Sequence, residues 1–304
     1  MTNPGWCSAI PGSPFVPGER GRGYSTTRMS ESRDLPVFWS GRPSPGSVTV
    51  PPAVAAVAGG RPTVPVWVNE AGGLTFEVGD GAERCFVKWA PAGSDELDLS
   101  AEADRMEWAC RFHPVPRPLA RGQGADGSWL VTAPVPGDSA VTARWKGEPA
   151  LAVTAIGEGL RAMHDSLPAA GCPFSWSAAE RLAAARRKAE AGGQDPAAWH
   201  PSHQGLTVAA ALESAAAIPP ADELVVCHGD ACAPNTLIGA GGRWSGHVDL
   251  GSLGVADRWA DLAIATWSAG WNYGPGWEGL LLDAYGVEQQ PERTRYYRLL
   301  WDLG

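Results

Sequence analysis

Two polar clusters, each set behind a short apolar run, constrain this chain more than any other feature. The first is VVCHGDACAPNTLI, Val225 to Ile238, which carries His228, Asp230 and Asn235 in H-G-D-x-x-x-x-N order. The second is GHVDLG, with Asp249 ahead of Gly251. In the first, the run LVV reads as a short strand that ends at the tight Gly229 turn and presents Asp230 on a loop. Asn235 is close enough in sequence for a curled loop to bring both side chains to one point. In the second, Asp249 follows another short strand. Two neighbouring strand ends would then gather a carboxylate, an amide oxygen and a second carboxylate around one pocket.

That inventory suits phosphoryl transfer. Mg²⁺ takes oxygen ligands and completes its shell with waters and substrate phosphates. Asn235 and Asp249 supply such oxygens, and Asp230 then serves as the acid that orients a hydroxyl and accepts its proton. Asp and Asn also cap ordinary turns, so either cluster alone has a purely structural reading; the pairing of the two speaks against it. A phosphate site needs a cation. Lys88 in CFVKWA lies inside an apolar strand and calls for a carboxylate partner. Glu102 in LSAEADRMEW is the expected partner, with Glu107 the second choice. The turn NEAGGLTF offers the backbone N–H groups of Gly72, Gly73 and Leu74 to phosphates, though most two-glycine turns are plain hairpins.

The chain has 304 residues, 44% hydrophobic and 19% charged, with net charge -9 and pI near 5.2. This is a globular composition without the basic footprint that nucleic acid requires. No run reaches the roughly twenty apolar residues of a membrane span, and no secretory signal opens the chain. Six scattered cysteines without a C-x-x-C pair read as free thiols of a cytoplasmic protein. A zinc site from Cys227, His228 and Cys232 lacks a second ligand pair.

Residues 1–46, rich in Pro, Gly, Ser and Arg, read as a disordered tail, and Met29 is a possible true start. Alternating strands follow: PVWV, LTFEV and CFVKW. Then come a helix over DLSAEADRMEWACRF and a strand in SWLVTAPV. After PGDS the pattern turns helical, through PALAVTAIGEGLRAMHDSL, SAAERLAAARRKAEAGG and GLTVAAALESAA, and again from Ala256 to the end. The fold class expected is α+β, with a β-rich N-lobe over residues 47–136 and a larger helical C-lobe over 137–304.

With these residues in place, the chain resembles the aminoglycoside phosphotransferase family, and within it the 3′-phosphotransferases. CHGDACAPNTLI resembles that family's H-G-D-x-x-x-x-N motif, and GHVDLGSLGVADRWADLA its metal motif. GEGLRAMHDSLPAAGCPF and RYYRLLWDLG resemble its internal and C-terminal helices. The resemblance implies a two-lobed, protein-kinase-like fold with ATP or GTP in the cleft. It implies Asp230 as catalytic base, Asn235 and Asp249 on Mg²⁺, and Lys88 with Glu102 on the phosphates. It places the adenine hinge at TAPV, through backbone groups of Ala133 and Val135; Pro134 has no N–H to donate. Gly73 stands where the family often has Ser.

The resemblance also implies acids that hold a cationic aminoglycoside. Here they reduce to Asp195, Glu278, Asp302 and the terminal carboxylate of Gly304. Trp267, Trp271, Tyr273 and Trp277 offer cation–π or stacking contacts in their place, or else fill the core. Two alternatives to an aminoglycoside kinase stay open: a kinase of this fold acting on another small hydroxylated molecule, and a nucleotide-binding pseudokinase.

Overall fold

The computed structural model describes residues 43, 47–69, 71–94 and 97–304. Apart from Pro43, the tail expected over residues 1–46 lies outside them. Helix α1, Pro52–Ala58, starts with proline in its first turn and stops at Gly59 in the left-handed region. Then come strands β1 (Thr63–Val68), β2 (Leu74–Val78) and β3 (Cys85–Pro91), helix α2 (Leu99–Ala109), and strands β4 (Pro118–Gly124) and β5 (Gly127–Thr132). The five strands form one antiparallel sheet in the order β1-β2-β3-β5-β4.

Period-two alternation gives this sheet two apolar faces. Phe76, Val78, Cys85, Val87 and Val131 pack under Val54 and Ala58 of α1. Ala90 and Leu130 on the other face meet Leu99, Ala103 and Met106 of α2. Lys88 neighbours Val87 and is two residues from Ala90, so it points to the α2 side. Asp98 caps α2 by accepting from Ala101 N at 2.9 Å, and Glu102 stands in the first turn.

The rest of the chain is mostly helical. Strand β6 (Asp138–Ser139) leads into α3 (Ala143–Lys146), α4 (Pro149–Ser166), α5 (Ala178–Glu190) and α6 (Val208–Ala216). Four short strands follow: β7 (Leu224–Cys227), β8 (Thr236–Ile238), β9 (Trp244–His247) and β10 (Gly254–Asp257). Helices α7 (Trp259–Tyr273), α8 (Glu278–Tyr285) and α9 (Pro291–Asp302) close the sequence. Strand β10 pairs with β7, and β6, β8 and β9 make a second small sheet. The core runs through Ala152, Ile156 and Leu160 of α4, Trp259 and Leu262 of α7, and Leu281 of α8.

The expected α+β order, a small β-rich part and then a larger helical one, is the order observed. Two details differ: strand β4 was not expected, and the last helical stretch starts later. Helix was expected from Ala256, but Ala256 pairs with Val225 in the β10–β7 ladder, and the helix starts at Trp259. The ladder holds β7, so the strand that delivers Asp230 has a partner. No helix among the described residues is long and apolar enough to cross a membrane.

Candidate active site

Strand β7 ends at Cys227, and the chain turns at Gly229 with φ 83°. A Cβ there would stand 2.2 Å from Ser252 O, so only glycine fits. The turn is gripped from α7. Asp261, fully buried, accepts from His228 N at 2.6 Å and Gly229 N at 2.9 Å. It also accepts from His164 Nε2 at 3.0 Å, and His164 Nδ1 meets Tyr285 Oη at 2.8 Å. Burial alone would raise the Asp261 carboxyl; the hydrogen bond and charge of His164 outweigh it and hold the carboxyl below its ordinary value. His228 then orients the loop. Val248 O only accepts, so His228 Nε2 carries the proton at 2.9 Å, and Nδ1 accepts from Asp230 N at 3.3 Å.

Asp230, Asn235, Asp249, Lys88 and Glu102 meet in one cluster. Asn235 Nδ2 donates to Asp230 O at 2.9 Å and to Asp230 Oδ2 at 3.1 Å. Its amide nitrogen is thus engaged, and its Oδ1 is the atom left for a cation. Lys88 Nζ lies 2.8 Å from both oxygens of Glu102 and 2.5 Å from Asp249 Oδ1. Glu107, the second choice, is exposed on α2. Burial lowers the Lys88 pKa, but the Asp249 and Glu102 carboxylates outweigh it and keep the ammonium charged. Burial, and after it the Asp249 charge, push the Asp230 carboxyl well above the ordinary range.

Asp249 Oδ2 is buried without a hydrogen-bond partner. Val248 N donates to Asn235 O at 3.0 Å, which brings the two segments together, and an orphaned carboxylate oxygen with an amide oxygen of fixed orientation is the kind of donor set a hard divalent cation takes. These residues therefore fit Mg²⁺.

The expected nucleotide contacts fare unevenly. Gly73 N donates to Asn69 Oδ1 at 2.5 Å and Gly72 N to Asn69 O at 3.1 Å. Leu74 pairs with Val68 in the hairpin. Both glycine N–H groups are thus engaged inside the turn rather than presented to a phosphate. Gly73 is where it is because a Cβ would stand 2.8 Å from both Asn69 and Leu97. At the expected hinge, Ala133 N donates to Arg117 O at 2.9 Å, so that N–H is engaged within the chain rather than presented to a base.

The acids expected on the acceptor side all have internal partners. Asp195 Oδ1 caps Ala197 N at 3.0 Å. Glu278 Oε1 accepts from Arg298 at 2.9 Å. Asp302 Oδ2 accepts from His203 Nδ1 at 2.5 Å and His200 N at 3.1 Å. Lys188 Nζ donates to Gly304 O at 2.6 Å. The aromatics divide. Tyr273 and Trp277 pack against the helical core. Trp267 is buried with Cys232, Ile264 and Trp301, and half-buried Trp271 lies against them.

Zinc does not fit Cys227, His228 and Cys232. Cys227 Sγ donates to Asp257 O at 3.4 Å, and burial holds its thiol well above the ordinary value. Both His228 nitrogens are engaged. Cys232 is disulfide-bonded, which also corrects the free-thiol reading at that position; Cys85, Cys110, Cys172 and Cys227 are free. Sequence reasoning passed over Asp261 and His164. Their signal was an acid inside the apolar run WADLAIATW and a histidine on the apolar face of α4.

Comparison with known proteins agrees with this geometry. Residues 68–297 match the phosphotransferase enzyme family. The aminoglycoside 3′-phosphotransferase of Streptomyces fradiae is 36% identical over 77% of this chain and 92% of its own length. The streptomycin 3″-kinase of Streptomyces griseus is 34% identical over 85% of this chain and 96% of its own. Among solved structures, an aminoglycoside 3′-phosphotransferase of type VIII superposes with a TM-score of 0.70 at 31% identity, covering 83% of this chain and 98% of that one. The aminoglycoside phosphotransferase APH(3″)-Id of Streptomyces rimosus gives 0.66 at 28% identity, over 82% and 95%. The two-lobed, protein-kinase-like fold, the buried Asp230–Asn235–Asp249 cluster and these likenesses agree: the chain belongs to the phosphotransferase enzyme family, in its aminoglycoside phosphotransferase branch.

Proposed function

We propose that this protein transfers the γ-phosphoryl group of a Mg²⁺-bound nucleotide, ATP or GTP, to a hydroxyl of an aminoglycoside, at the 3′ position, and so confers resistance. The observation that carries the reading is the single buried cluster in which Asn235 orients Asp230 while Lys88 bridges Glu102 and Asp249. In this reading residues 47–136 carry the nucleotide, residues 137–304 carry the catalytic loops and the acceptor, and the hinge lies at Ala133–Val135.

Asp230 orients the acceptor hydroxyl and takes its proton as the hydroxyl oxygen bonds to the γ-phosphorus. The bond from that phosphorus to the β,γ-bridging oxygen breaks, and the nucleoside diphosphate leaves with the electron pair. Lys88 contributes positive charge to the phosphates, and Glu102 fixes where that charge sits. Asn235 and Asp249 would hold Mg²⁺, which when bound supplies charge neutralisation at the phosphate oxygens and offsets the Asp249 carboxylate beside Asp230. His228 and Asp261 hold the loop in register through its backbone.

A second reading is phosphorylation at a 3″ position. It is favoured by the longer coverage of the streptomycin 3″-kinase and by a 0.61 superposition, at 28% identity, on APH(3″)-Id in complex with ADP and streptomycin. A coupled assay across aminoglycosides, with ATP and GTP in parallel and mass spectrometry of the product, decides between them. Turnover by wild type and a loss of about 10²–10⁴-fold in Asp230→Ala is the expected result. Equal activity in the two proteins would sink the enzymatic reading, and turnover only on compounds outside the class would sink the aminoglycoside assignment.

A further inference from the structure

The acids on the acceptor side are held by the chain's own cations and donors. Asp302 Oδ2 lies 2.5 Å from His203 Nδ1, and both side chains are largely shielded, at 10% and 13% exposure. Glu278 is paired with Arg298, and Lys188 reaches Gly304 O. This cluster adjoins the catalytic loop. The His200 ring lies 4.3 Å and the His203 ring 5.9 Å from Trp267. The Arg298 guanidinium lies 5.1 Å over the same Trp267 ring. Trp267 in turn packs on Cys232, two residues past Asp230. An ammonium group approaching Asp302 therefore meets a carboxylate whose Oδ2 is already engaged, beside a like charge on Arg298. The cation–π face of Trp267 that could have compensated is covered by Arg298 and His200.

We propose that the acids of this acceptor face are engaged within the chain, and that His203, by donating to Asp302, sets the enzyme's discrimination against acceptors rich in ammonium groups. The acceptor class it favours is hydroxyl-rich with few ammonium groups. The inference rests on the aminoglycoside reading above and narrows it. His203 acts through Asp302 and is a positioning residue. An ammonium pairs with Asp302 Oδ2 only in competition with the His203 N–H and the His200 backbone N–H. Shielding keeps that hydrogen bond from being diluted by water or salt.

The test is calorimetry on the full chain loaded with a non-hydrolysable nucleotide, using neomycin as the polyammonium probe and streptomycin, which has fewer cationic groups and two of them guanidinium, as the less cationic one. His203→Ala should raise the neomycin-to-streptomycin affinity ratio about tenfold, the equivalent of roughly 1.4 kcal/mol. The ratio should return to the wild-type value in His203→Ala/Asp302→Asn, because the released carboxylate is then gone. His203→Asn, which retains an N–H donor, should also stay near wild type. An unchanged ratio in His203→Ala overturns the proposal. So does a gain that survives in the double variant, which would mark loosening rather than carboxylate release. Neomycin binding absent from wild type and His203→Ala alike overturns it too. Steady-state kinetics keep the two readings apart: wild type that phosphorylates no aminoglycoside defeats the proposed function, while the calorimetric ratio still decides the role of His203.

Discussion

Asp249 is the one non-glycine residue, among those described, with φ in the left-handed region, at 67°. Such a backbone costs an L-residue roughly 1–2 kcal/mol, with Asp and Asn the most tolerant of it. The strain turns Oδ1 to Lys88 and leaves Oδ2 buried and unpartnered. Asp249→Asn should therefore keep the backbone and lose the charge. The expected result is a melting temperature within a few degrees of wild type with turnover down at least about 100-fold, measured by calorimetry and the coupled assay. Asp261 predicts a different split. It touches no substrate, but its two oxygens order the His228–Gly229 backbone. Asp261→Asn replaces an acceptor oxygen with a donor NH₂ facing backbone N–H groups or His164. That should cost about 1.5–3 kcal/mol by urea titration and lower kcat more than the nucleotide KM. Asp230, Asn235 and Asp249, to which the proposed chemistry is assigned, were legible as a cluster because their types and spacing form the two motifs. Asp261 was not, because it acts on backbone N–H groups across 32–33 residues. Nor were the partners of the acceptor-side acids: His203 and Asp302 are 99 residues apart, and no local pattern joins them.

Strand β9 and the connector after α2 are joined through histidines. His113 Nδ1 meets Ser166 Oγ at 3.0 Å; that hydroxyl donates to Met163 O, so Nδ1 carries the proton. His113 Nε2 then accepts from His247 Nδ1 at 2.9 Å. Backbone pairing of His247 N with Pro114 O, at 3.1 Å, runs alongside. Helix α2, which carries Glu102, is thereby tied to the strand that precedes Asp249. Burial, then the charges of His228 and His164, push the His113 pKa down to about 4. A histidine with a lowered folded value contributes stability above the unfolded value of 6.5. That stability is lost as pH falls from about 6.5 toward 4, because the unfolded chain takes the proton first. A shift of this size corresponds to roughly 3 kcal/mol over that window. Urea titrations at pH 7 and pH 5 should show this slope in wild type and a shallower one in His113→Gln; equal slopes would remove His113 from the account. At this scale legibility followed burial. Alternating strands β1–β3 and the long helices α4 and α5 were readable, because one face of each is apolar. Strand β4 was not: PLARGQG is an edge strand with mostly exposed residues and two glycines. Strand β10 was not either, because its four residues GVAD form a strand only through pairing with β7.

Across the whole molecule, Lys88 is the joint between the sheet and the helical part. From β3 it reaches Glu102 on α2 and Asp249 beyond β9, 161 residues away. Lys88 Nζ and Asp249 Oδ1, proposed for the phosphates and the metal, compensate each other's charge across their 2.5 Å contact. Nucleotide alone must draw Lys88 from Asp249 and leave that buried carboxylate uncompensated, a cost of several kcal/mol for a shielded charge. Nucleotide with Mg²⁺ replaces the lysine at Asp249 as it takes the lysine for its phosphates, so no buried charge is stranded. Metal and nucleotide binding should therefore be strongly coupled, and reciprocally so. At a nucleotide concentration of about 100 Kd, linkage gives roughly 2.7 kcal/mol of stabilisation, or a melting increment of about 4–5 °C for a chain of this size. The full increment is expected with Mg²⁺ and most of it should vanish on chelation. In Asp249→Asn, which has no buried carboxylate to strand, the metal should make little difference. A wild-type protein whose nucleotide affinity is the same with and without Mg²⁺, by calorimetry, would show that the Lys88–Asp249 contact does not link the two sites.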